Sequence, residues 1–199
     1  MKKILTAVFI LVSLQTFSQR QQKFVSLAIT TNHTAYPFAS FGKLFVKDFH
    51  PGIEAGYGFN WKTKPKHDWY QTFKGGYFYH RFVQHAIPVY TQFGYRYKWK
   101  NHLQLTTAIG AGYLHSIPAT AVLKADNNGT YKNAKGIGRG QALINLSFGA
   151  QYRIKKNDRV LFTPFVNYVQ QLQTPFIKSY VPLLPYNSLQ LGINIPVKK

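Results

Sequence analysis

"PGIEAGYGFNWK", residues Pro51 to Lys62, alternates between two kinds of surface. In an extended chain Ile53, Ala55, Tyr57, Phe59 and Trp61 share one face, and Glu54, Gly56, Gly58, Asn60 and Lys62 share the other. A strand lying on a soluble core turns bulky charged residues to water on its polar side. Here the polar side is rich in glycine, which points to a confined polar interior and leaves the aromatic side for an apolar exterior.

The same alternation recurs along the chain. It is found in "FVSLAITT" (Phe24 to Thr31), "WYQTFKGGYFYHR" (Trp69 to Arg81), "IPVYTQFGYRYKW" (Ile87 to Trp99) and "LQLTTAIGAGYLH" (Leu103 to His115). It continues in "QALINLSFGAQYRI" (Gln141 to Ile154), "VLFTPFVNYVQ" (Val160 to Gln170) and "SLQLGINIPV" (Ser188 to Val197), making eight strands in all. Their connections alternate in length. "TKPKHD", "KNH" and "KKND" are short, whereas residues 32–50, 116–140 and 171–187 form longer loops at the opposite end, where only the connection near Val83 to Ala86 is brief. Short turns at one end and long loops at the other predict an all-β, eight-stranded antiparallel up-and-down transmembrane β-barrel. An even strand number puts both termini on the turn side, which in this architecture is periplasmic.

Composition agrees with one such domain. The 199 residues are 45% hydrophobic and 17% aromatic, ample for a folded body. Beyond the leader, no apolar run approaches the ~20 residues that a membrane helix needs. The absence of cysteine excludes a disulfide scaffold, a cysteine nucleophile, thiolate metal sites and a lipoprotein anchor. The leader itself reads as a signal peptide over residues 1–18: a basic "MKK", an apolar Ile4 to Leu14 and small residues at Thr16 and Ser18, with the mature chain 19–199 forming the single barrel domain.

Facing can be tested across strands. A hairpin centred near Pro65 sets Trp61 opposite Trp69 and Glu54 opposite Gly76, with Lys74 diagonal to Glu54. A turn centred near His85 sets Lys74 opposite Arg96, and one at Asn101 sets Arg96 opposite Thr106. Glu54, Lys74 and Arg96 then form a candidate ion network in the bore, read as a structural plug, beside inner residues such as Gln92, Gln104, Asn145, Ser147 and Gln190. On the seventh strand Val160, Phe162, Pro164, Val166 and Tyr168 are the outer row, because Thr163, Asn167 and Gln171 make the other row more polar. Trp61, Trp69, Trp99, Tyr97 and Tyr152 lie next to short turns as one interfacial aromatic girdle, and Tyr79, Tyr113 and Tyr168 are candidates for the other.

The formal charge of +20, or +18 once Lys2 and Lys3 leave with the leader, raises the question of nucleic acid. Single-strand-binding barrels mix a few aromatics with cations on one exposed face. Whole apolar rows do not fit that pattern, and clusters such as Lys62, Lys64, Lys66, Lys98, Lys155, Lys156 and Arg159 at the turn end suit anionic headgroups instead. The partners expected are therefore outer-membrane lipids, with an envelope protein or surface ligand meeting loops 32–50, 116–140 and 171–187, and the chain is expected to be monomeric.

This pattern resembles the small eight-stranded outer-membrane barrels, and the leader ending "FSQ" is similar to those of Bacteroidota. The resemblance implies a bacterial outer-membrane location and leaves function open between a structural or surface-interaction role and lipid A modification. For the second, His115-Ser116 is a candidate pair, but neighbours on a strand point to opposite faces and cannot act together as base and nucleophile. The lipid A deacylases carry His-x-Ser-Asn on a late strand, where this chain has "NYVQQLQTP" (Asn167 to Pro175), although "YNSLQLGINIP" resembles their last strand. No catalytic residue is assigned. His33, His50, His80, His85 and His115 fall near the loop end without ligand spacing and read as isolated interfacial residues, so neither a metal nor another cofactor is expected.

Overall fold

Alternation along each strand gives every residue a side, and hydrogen bonding between neighbours decides whether those sides form one continuous wall. In the computed structural model, which describes residues 22–34, 49–99, 102–126, 128–133, 135–157, 159–176 and 182–197, they do. The strands are β1 (Lys23–Thr34), β2 (Pro51–Thr63), β3 (His67–His80), β4 (Gln84–Lys98), β5 (Leu103–Pro118), β6 (Leu123–Ala125), β7 (Tyr131–Asn133), β8 (Arg139–Tyr152), β9 (Ile154–Lys156), β10 (Arg159–Thr174) and β11 (Leu184–Pro196). Eight of them, β1 to β5 with β8, β10 and β11, pair antiparallel in chain order, and β11 returns to β1 to close the barrel. Strands β6 and β7 form a separate small hairpin, while β9 extends the turn into β10. The leader and the cleavage point expected for it lie outside the described residues.

Closure removes the free edges of the eight barrel strands and leaves two surfaces. Leu27 on β1, Ile53 on β2, Phe73 on β3, Val89 on β4, Ile109 on β5, Ile144 on β8, Val166 on β10 and Leu191 on β11 all face outward and are exposed. Ser26, Glu54, Lys74, Gln92, Gln104, Asn145, Gln171 and Gln190, from the same eight strands, are buried inside. The seventh barrel strand, β10, follows this rule. Phe162 and Val166 are exposed while Thr163 and Gln171 are buried, together with Phe165 and Val169. Those two large inward residues blurred the sequence pattern. Phe165 has room because Gly192 faces it, where a Cβ would collide with its ring. Gly94 makes way for Tyr70 in the same manner.

Pairing corrects three expectations. A bulge at Trp61 interrupts the β2–β3 ladder, so Lys62 and not Trp61 stands opposite Trp69, although Glu54 does pair with Gly76. The β3–β4 turn is Arg81 to Val83, centred on Phe82 rather than His85. Lys74 therefore pairs with Tyr90, and Arg96 pairs with Asp68 on one side and Thr106 on the other. Three of the four chain connections at the loop end are shorter than expected, because the strands run on: β1 to Thr34, β5 to Pro118, and β10 to Thr174 with β11 starting at Leu184. Gln171, Gln173, Tyr186 and Asn187, expected in a loop, are buried barrel residues.

Candidate functional site: a plugged bore and a half-polar rim

The bore is built in three storeys. At the turn end Asp68 meets Lys98 Nζ at 2.7 Å and Arg96 Nη1 at 3.6 Å. Arg96 also donates to Asn60 Oδ1 at 3.4 Å and lies over the rings of Tyr70 (4.7 Å) and Phe24 (5.6 Å). A planar guanidinium suits this sandwich, since its faces take aromatic rings while its edge takes oxygens.

At mid-height Glu54 is the hub. Lys74 Nζ bonds its Oε1 at 2.9 Å, the Tyr90 hydroxyl donates to Oε2 in a short bond, and Gln190 Nε2 donates to Oε2 at 3.3 Å. Gln92 Nε2 donates to Asn145 Oδ1 beside it, at 2.6 Å. A buried carboxylate with one cation and two neutral donors meets the condition for holding a charge away from water.

Above this, Phe78, Ala86, Tyr90, Leu114, Leu143 and Tyr186 form an apolar layer. Gln84 threads it: its Nε2 donates to Gln173 Oε1 at 2.9 Å and to the Tyr186 hydroxyl at 3.2 Å, and its Oε1 accepts the Ser116 hydroxyl. Between the lower two storeys, a cavity bordered by Tyr70, Lys74, Arg96 and Gln151 has a volume of only about 30 Å³, room for about one water.

These placements divide the sequence candidates. Glu54 and Lys74 come together, but Arg96 belongs to a separate cluster with Asp68. Asp68 was overlooked, yet a signal was there: the chain has five acidic residues against 25 Lys and Arg, so each acid inside a strand is a scarce counter-charge. Lys98, read as a headgroup contact, is instead occupied by Asp68. Trp61, Trp69, Trp99, Tyr97 and Tyr152 are all exposed at the turn end of the wall. Trp69 stacks on Phe93 at 5.4 Å, and Trp61 Nε1 donates to Gln71 Oε1 at 3.1 Å.

The histidines are not five of a kind. His33, His50 and His80 are buried at the loop end of the bore, with the His50 and His80 rings stacked at 3.7 Å and His33 edge-on to His50 at 5.2 Å. Among the described residues no group of His, Cys, Asp and Glu converges as a metal site would. His85 and His115 lie on the outer wall. His115 donates through Nε2 to the Ile137 carbonyl at 3.0 Å and receives the Tyr113 hydroxyl at Nδ1, 2.9 Å away. Ser116, on the inner side of the same strand, is spent on Gln84. His115 and Ser116 therefore stand on opposite sides of the wall.

No protein-family model matches the chain, and no curated protein matches its sequence. Among solved structures it is similar to Neisserial surface protein A (NspA), at 7% identity over 89% of this chain and 97% of that one, with a TM-score of 0.52. It also matches the outer membrane enzyme PagL (13% identity, 87% and 99% covered, TM-score 0.48) and Ail, the attachment invasion locus protein of Yersinia pestis (12% identity, 89% and 97% covered, TM-score 0.46). At such identities likeness concerns the fold, and the match to Neisserial surface protein A bears out the closed eight-stranded barrel.

Proposed function

We propose that the chain is a bacterial outer-membrane barrel whose bore is a structural plug and whose function is exercised by its outer wall and loop end. One observation carries this reading: the exposed side of all eight barrel strands is mostly apolar while the enclosed side is mostly polar, broken by one apolar layer, the inverse of a soluble barrel. Aromatic residues flank the apolar band near both ends. Trp61, Trp69, Trp99, Tyr97 and Tyr152 mark the turn end, and Tyr79 and Tyr113, joined by Tyr77, mark the loop end, whereas Tyr168, the third candidate there, pairs with Phe148 on the wall. The turn end, with both chain termini, is periplasmic on this reading, and exposed Lys62, Lys64, Lys66, Lys155, Lys156 and Arg159 there meet anionic headgroups at about 1 kcal/mol each.

The plugged bore argues against conduction. The cavity between its lower two storeys has room for about one water, and an apolar layer closes the bore above them, whereas a channel needs a continuous wet path. On this reading the functional unit is a monomer meeting lipid at its wall and envelope or surface ligands at its loops. The pair that the sequence offers for lipid A modification, His115 and Ser116, is divided by the wall and cannot act together. The deciding experiment is fractionation with heat-modifiability. The protein should sediment with outer membrane and migrate faster unheated than boiled on a denaturing gel; recovery in the soluble periplasm overturns the reading. Unchanged lipid A acylation after gene deletion would in turn separate the surface role from the enzymatic one.

A further inference from the structure

The outer wall is not uniform. Around most of the barrel large side chains cover the strands, but on β2 and β3 Ala55 pairs directly with Gly75, and both face outward. The next pair toward the turn end is Tyr57 with Phe73, and the next toward the loop end is Ile53 with Tyr77. Two small residues between two large pairs make a hollow, which continues across β1 and β11 between the side chains of Leu27, Ile29 and Leu191 to a volume of about 470 Å³. A Cβ placed on Gly75 would find no atom nearer than 4.0 Å, so the space there is open and not filled from the neighbouring strand.

The floor is firm. Glu54 and Lys74, held by their 2.9 Å ion pair, lie on the inner side of the same stretch of wall. Polar groups stand beyond the loop-side end of the hollow: the hydroxyl of Tyr77, which lines it, is 2.7 Å from His85 Nδ1, and four residues further along the chain from Tyr77 the turn presents the exposed Arg81 guanidinium over the Phe82 ring at 4.4 Å.

We infer that this groove is a lipid site, holding one acyl chain of an anionic, phosphate-bearing membrane lipid whose phosphate lies at Arg81 and His85. The inference rests on the membrane-barrel reading. The groove is one side chain deep, which matches a linear hydrocarbon chain. A second copy of the protein, meeting it across a twofold axis that runs through the hollow, would set the same hollow against itself and leave a void with unpaired surface. The cation at the headgroup end supplies charge complementarity that a protein partner's apolar face would not need.

The test uses phosphatidylglycerol bearing a diazirine on one acyl chain, in phosphatidylcholine nanodiscs containing the full chain, with labelled peptides mapped by mass spectrometry. Label should concentrate on β1, β2, β3 and β11. Gly75→Leu, which fills the hollow with a side chain the backbone has room for, should cut label at that face severalfold through loss of the packing contacts that the floor offers an acyl chain, while heat-modifiability confirms an intact barrel. Arg81→Gln should abolish the preference over an identically labelled phosphatidylcholine while retaining some label in the groove. Label spread evenly around the wall and unchanged by Gly75→Leu overturns the inference and leaves the barrel reading standing. Exclusion of label from this face alone, with the other strands labelled, overturns it in favour of a second copy seated there. Absence of label from every strand overturns the membrane reading itself.

Discussion

The wall and the bore are made by alternate residues of the same eight strands, yet they obey different rules. Outward residues such as Ile109, Ile144 and Val166 are exposed and need only be apolar. Inward residues need particular partners: Glu54 needs Lys74, Tyr90 and Gln190; Gln84 needs Gln173, Tyr186 and Ser116; Gly94 needs to remain small for Tyr70. Tolerance should therefore be broad on one side of the backbone and narrow on the other. The reason is the surroundings each side meets. On the proposed membrane reading the wall meets a fluid apolar phase that accommodates most apolar shapes, whereas a close-packed interior penalises a lost partner or an added methyl.

The sharpest challenge to this contrast is Glu54→Ala. It strands Lys74 in the bore and should cost about 3 to 5 kcal/mol, the usual penalty for breaking a buried pair from one side. Adding Lys74→Met should recover most of that loss, because both charges are then gone. Unfolding midpoints in detergent read both effects, and an unchanged midpoint for the single variant would show that water reaches the pair. On the wall, Phe148→Arg breaks the one rule that side has and should cost roughly 2 to 4 kcal/mol in folding into vesicles. Normal insertion of this variant would mean that Phe148 does not meet hydrocarbon.

Smaller changes sharpen the comparison. Gly94→Ala puts a Cβ into the Tyr70 ring and should cost about 1 to 3 kcal/mol through overpacking. Tyr70→Leu in the same chain should remove the clash, so a double variant no better than Gly94→Ala alone would point to a backbone requirement instead. Ile109→Leu, on the wall, should stay within about 0.5 kcal/mol of the parent protein. A loss as large as that of Gly94→Ala would show that Ile109 packs against protein and not lipid.

The two aspartate and glutamate clusters show how far the site could be read in advance. Glu54 with Lys74 was legible because both lie in one hairpin whose Pro65 marks the turn, so their diagonal relation follows from local spacing. Arg96 with Asp68 was not. It depends on a turn at Arg81 to Val83 that has no glycine, proline or asparagine to mark it, and a three-residue displacement of that pivot moves the partner of Lys74 from Arg96 to Tyr90. The histidine stack at the loop end was out of reach for a further reason: His33, His50 and His80 come from three strands or their edges, and their contact depends on closure.

What the amino-acid order determined unaided was the parity of each strand and hence the barrel, its polar bore and its apolar wall. Parity is robust because side chains repeat every two residues: moving a hairpin pivot by a whole residue shifts the partner by two and leaves each residue on its own side. The tertiary structure alone decided which inward residues meet. A bulge at Trp61, an unmarked turn at Phe82 and the return of β11 to β1 set those distances, and each is settled by the packing of a closed bore, where Gly94 yields to Tyr70 and Gly192 to Phe165, not by any local preference of the chain.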